Sequence, residues 1–78
     1  MRTLTTTAVL DMHEALDTQR TRSLEDILRA DAGVVSVGKP EHLPRLLLVA
    51  YNAARTTSPN IVKRVRSGGH YASIVGCA

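Results

Sequence analysis

The stretch "SLEDILRADAGVVSVGK", residues 23–39, changes its apolar period part-way, and that change decides how the chain is read. Leu24, Ile27 and Leu28 stand three and four apart, which makes one stripe of a helix. Ser23 can cap that helix, and Asp26 three residues on gives a capping-box-like start. An earlier start, near Asp17 or Thr18, stays open, because Asp17, Arg20 and Thr21 supply no apolar face. Gly33 is placed to end the helix, and the valine-rich "GVVSVGK" after it reads as a strand.

On the N-terminal side, "TLTTTAVLDM" reads as another strand. Thr and Val favour extended backbone, and Leu4, Thr6, Ala8, Leu10 and Met12 alternate onto one face. On the C-terminal side, "PEHLPR" holds two prolines around a polar core and forms a loop, which leaves His42 solvated. "RLLLVAY" is the most hydrophobic run and reads as a buried strand ending at Tyr51. "NAARTTSPN" then leads into a helix, with Ser58 as cap and Pro59 at the first helical position, where its missing N–H costs nothing. Ile61, Val62 and Val65 form the apolar stripe of this second helix, while Lys63, Arg64 and Arg66 point elsewhere. Gly68 and Gly69 end it, and "HYASIVG" is the last strand, with the Tyr71 ring packed at the sheet edge. The order is β-α-β-β-α-β, and both crossovers are long enough to contain a helix, so each can join parallel neighbours in a right-handed way. The expected architecture is a single α+β domain over residues 1–78: a ferredoxin-like fold, with a four-stranded mixed sheet and both helices on one face.

A chain of 78 residues buries only about 60–65% of its unfolded surface, so all its apolar elements must share one core. With two Tyr and no Phe or Trp, that core is aliphatic. The single cysteine, Cys77, cannot form an internal disulfide, and a secreted domain of this size usually carries several. No apolar run is long enough to span a bilayer, and the N-terminal one is too short and threonine-rich for a signal peptide. A cytoplasmic location without membrane insertion is therefore expected. The net charge of +3 comes from arginines spread along the chain, and it favours acidic partners.

Local sequence adds a resemblance. Gly33, Val34 and Val37, then Val49, Tyr51 and Asn52, then Ile61, Val65, Gly69 and Ala72 resemble the landmarks of heavy-metal-associated domains of copper chaperones and P-type metal ATPases. The similarity runs over about residues 24–75 and rests on structural glycines and core positions. It implies metal-ion binding or trafficking, or docking to a metal-transporting P-type ATPase or another acidic protein partner. It also implies a metal motif, M-x-C-x-x-C, before the first helix. Its methionine falls near Met12, expected in the core, and its cysteines at Asp17 and Arg20. Two thiolates suit Cu(I) or Zn(II). The run "DTQR" has none, and an arginine cannot be a ligand.

Harder ligands stand nearby. Asp11, His13, Glu14 and Asp17 lie in the same loop, and the fold is expected to bring His70 alongside from the loop after the second helix. His13 and His70 with a carboxylate, Glu14 or Asp17, could make a three-ligand nitrogen and oxygen site for Zn(II), Cu(II) or Ni(II). The same residues also fit a plain polar loop, in which Asp17 starts the helix and no ion is bound. Cys77 has no assigned role.

Other functions of this strand order fare worse. RNA recognition motifs stack bases on aromatics of the first and third strands, and Tyr51 is the only aromatic there, so no nucleic acid is expected. No nucleophile–base pair stands in a recognisable setting, so the chain is not expected to be an enzyme. The alternative is an ACT-like module that senses a small molecule or oligomerises.

Overall fold

The computed structural model describes residues 5–77. Leu4, expected on the apolar face of the first strand, lies outside the described residues, as does the side chain of Cys77. Six elements follow in the expected order: β1 (Thr5–Asp11), α1 (Thr18–Arg29), β2 (Val34–Gly38), β3 (Leu46–Asn52), α2 (Ser58–Ser67) and β4 (Ser73–Cys77).

The strands form one sheet in the order β2-β3-β1-β4. All three neighbouring pairs are antiparallel, so the expected mixed sheet is corrected. Each helical crossover joins parallel strands that are not neighbours. β3 is inserted between β1 and β2, and β1 between β3 and β4. The ferredoxin-like architecture stands, with every ladder antiparallel.

Cross-strand partners share a face of a sheet. Ala8 faces Val49 and Leu10 faces Leu47, and all four are fully buried. Leu24 and Leu28 of α1 and Ile61 and Val65 of α2 close over them in one aliphatic cluster. Met12 and Tyr51 are buried in the same cluster, as the sequence leads one to expect.

α1 begins at Thr18, five residues before the capping position expected at Ser23. Asp17 is the N-cap, its carboxylate accepting the Arg20 N–H at 2.7 Å. The early turns are polar all round, with only Thr21 half-buried, which is why apolar spacing does not report them. In α2 the cap is Thr57, one residue before the expected Ser58, with Pro59 in the first turn. The turn after α1 is held by Asp31, which accepts the Gly33 N–H at 2.8 Å and the Arg64 Nε–H at 3.0 Å. Gly33 sits against Thr56 so closely that a Cβ there would come within 2.8 Å of the Thr56 methyl carbon.

Candidate functional site

Two loops meet at one end of the sheet, the one between β1 and α1 and the one between α2 and β4. The first is pinned along its length. The Met12 N–H donates to the Arg45 carbonyl at 2.8 Å, and the Leu16 N–H to the Pro44 carbonyl at 2.9 Å. Lys39 Nζ donates to the Leu16 carbonyl at 2.9 Å, and Met12 and Leu16 bury their side chains beneath the loop. His13 takes the left-handed backbone region, at φ 63°, and its N–H is held by Asp11 Oδ1 at 2.9 Å. That bond, with Arg45 beside it, holds the Asp11 carboxyl below the usual carboxylate range.

The second loop is set by how α2 ends. Gly69, at φ 87°, lets the chain close a Schellman turn. The Gly69 N–H donates to the Arg66 carbonyl at 3.0 Å and the His70 N–H to the Val65 carbonyl at 3.2 Å. This turn carries His70 to the first loop and keeps Tyr71 out of the last strand. Tyr71 is 73% exposed, which corrects the expectation that its ring packs at the sheet edge.

Between the loops lies a cleft of about 450 Å³, lined among others by His13, Glu14, Arg20 and His70. Three of the four candidate ligands are thus brought to one place. Asp17 is not among the lining residues, and its carboxylate is occupied at the start of α1. The other three have partners or distance to overcome. The Arg20 guanidinium donates to the Glu14 carboxylate, and this bond holds Glu14 below its ordinary range and raises Arg20. His13 Nε2 shares a hydrogen bond of 2.7 Å with Ser73 Oγ at the start of β4. Among the described residues, no group of three or more His, Cys, Asp or Glu side chains stands close enough together to hold an ion. The donor set as arranged therefore does not fit a three-ligand metal centre.

Sequence reasoning singled out Arg20 only as a residue unable to bind metal. The structure gives it a part, as the cation inside the cleft. The signal was its spacing of six residues from Glu14, a separation that no helical rule pairs.

No family model matches the sequence, and no curated protein matches it. Solved structures do. The chain superposes on oxidized MerP from Ralstonia metallidurans CH34 with a TM-score of 0.80 at 18% identity, covering 92% of this chain and 99% of that one. It superposes on the N-terminal domain of a potential copper-translocating P-type ATPase from Bacillus subtilis, solved in the Cu(I)-loaded state, with a TM-score of 0.82 at 19% identity, covering 95% and 91%. The fold is that of the heavy-metal-associated domains. The yeast copper transporter domain CCC2A, solved in apo and Cu(I)-loaded states, extends the likeness, with a TM-score of 0.78 at 19% identity over 92% of this chain and 97% of that one. In this heavy-metal-associated fold, the positions at which the resemblance places cysteines hold a helix cap, Asp17, and the cleft cation, Arg20. Among the described residues, no helix is long and apolar enough to cross a membrane.

Proposed function

We propose that this chain is a non-enzymatic metal-trafficking domain that docks on a metal-transporting P-type ATPase or another acidic protein partner without carrying an ion in a preformed site. The observation that carries this reading is the ion pair between Arg20 and Glu14. It ties up the Glu14 carboxylate with a side chain that cannot bind metal, beside the loop where the resemblance places the metal motif. A guanidinium keeps its proton at all physiological pH values, so the pair holds across that range. The net charge of +3 suits an acidic partner, and the single cysteine suits the cytoplasm.

A second reading has its own observation. His13, His70 and Glu14 line the same cleft. If Glu14 leaves Arg20 and His13 leaves Ser73, the three supply two imidazoles and a carboxylate, a set suited to Zn(II), Cu(II) or Ni(II). The displaced bonds make such binding weak.

Calorimetric titration with Zn(II) separates the two. The docking reading expects no heat of binding from the parent at micromolar ion, and the same from Arg20→Met. Binding that appears in Arg20→Met and vanishes when His13→Ala and His70→Ala are added would instead assign the cleft as a weak ion site held closed by Arg20.

A further inference from the structure

A second groove lies away from the cleft, between α2 and the edge strand β4, with a volume of about 610 Å³. Its floor is apolar. Val62 and Pro59 come from α2, and Ile74 comes from β4. Ile74 pairs across the ladder with the buried Leu10, so it lies on the helix side of the sheet, yet it remains 41% exposed. The rim is basic, formed by Lys63 and Arg66, and no acidic side chain lines the groove. Arg20, Arg29, Arg45 and Arg64 all have carboxylate partners, whereas among the described residues neither Lys63 nor Arg66 is in an ion pair. One wall is the outer edge of β4, with which no other strand pairs among the described residues. An edge of this kind is a template for a further strand.

We propose that this groove takes an extended segment of a protein partner, added to β4 as a fifth strand, in which the alternate positions that face α2 carry both apolar and acidic side chains. Main-chain hydrogen bonds to β4 supply the pairing, apolar side chains cover Ile74 and Val62, and carboxylates meet Lys63 and Arg66. A second copy of this chain is a poorer occupant. Pairing two β4 edges would bring two sets of the same unpaired cations together. A nucleic acid has no strand to add to the edge and gains nothing from the apolar floor. The inference names the surface for the docking proposed above and rests on that reading only in taking the partner to be an acidic protein.

The test is an amide-shift titration of the full chain with a short blocked peptide in which every second residue is Thr and the positions between are Val and Glu in turn, run beside its Lys-for-Glu counterpart. The proposal expects saturable shifts at residues 59–66 and 72–76 with the acidic peptide and none with the basic one. It expects Lys63→Glu with Arg66→Glu to weaken binding about tenfold or more, since each reversal removes a rim attraction and adds a repulsion. Lys63→Gln with Arg66→Gln, which leaves α2 free of new repulsions, should show a smaller loss in the same direction. Shifts confined to residues 12–17 and 69–71 would overturn the groove while leaving docking at the cleft end intact. No saturable shift up to millimolar peptide, a helical bound peptide, or a dimer formed through β4 in the absence of peptide would each overturn it as well. Zinc calorimetry does not enter this result, so the two proposals fail separately.

Discussion

At Asp31 one carboxylate accepts the Gly33 N–H at 2.8 Å, faces the Arg64 Nε–H at 3.0 Å and lies 3.4 Å from the Thr56 hydroxyl that donates to it. Its side chain is only 14% exposed, so these bonds work in a partly desolvated setting. They hold the Asp31 carboxyl below its ordinary value, the Gly33 N–H contributing most among the groups that lower it. A carboxyl lowered on folding stabilises the native state fully above its unfolded value and loses that contribution as pH falls through the folded one. Asp31→Asn should therefore cost about 1–2 kcal/mol at neutral pH. The gap to the parent should narrow in urea denaturation at acid pH. An equal gap at both pH values would show that the charge at Asp31 does not matter. Gly33 itself was legible as a helix terminator. Its close approach to Thr56 was not, because β2–β3 pairing and the turn at Asn52 bring together two residues 23 positions apart.

Element boundaries show what apolar spacing reports and what it passes over. The stripe of Leu24, Ile27 and Leu28 located α1 correctly, because those positions are buried or half-buried. The turn and a half before it is polar on every side, so only a cap could mark its start, and the rival cap at Ser23 lay nearer the stripe. Asp17→Ala removes the acceptor for the Arg20 N–H and should lower the melting temperature by about 4–8 °C, the loss of one good N-cap in a domain of this size. Ser23→Ala should leave the melting temperature close to the parent value. The reverse pattern in thermal unfolding would return the helix start to Ser23. At the other end of the site, the pair Gly68-Gly69 told where α2 stops. It did not tell that a Schellman turn would carry the chain past Tyr71 before β4 begins.

For the whole molecule, the order of helices and strands was readable; several functional classes share that topology, and solved structures of heavy-metal-associated domains superpose on it. The sheet was misjudged as mixed, since a β-α-β crossover gives two parallel strands but does not say whether a third slips between them. The candidate site was readable in part. Loop chemistry put His13, Glu14 and His70 at one end, and they line one cleft there. Side-chain pairing could not be read, because Arg20 meets Glu14 through a loop closure and not through helical spacing. That pairing is the centre of the account: a carboxylate of the cleft is already taken by a cation of the protein's own. An amide-shift titration of the parent chain with Zn(II), Ni(II), Cu(II) and Cu(I), each in turn, tests it most directly. The account predicts no saturable shift at residues 11–20 and 68–71 at micromolar ion. Saturable shifts confined to those residues at that concentration would contradict it and make the cleft a metal site.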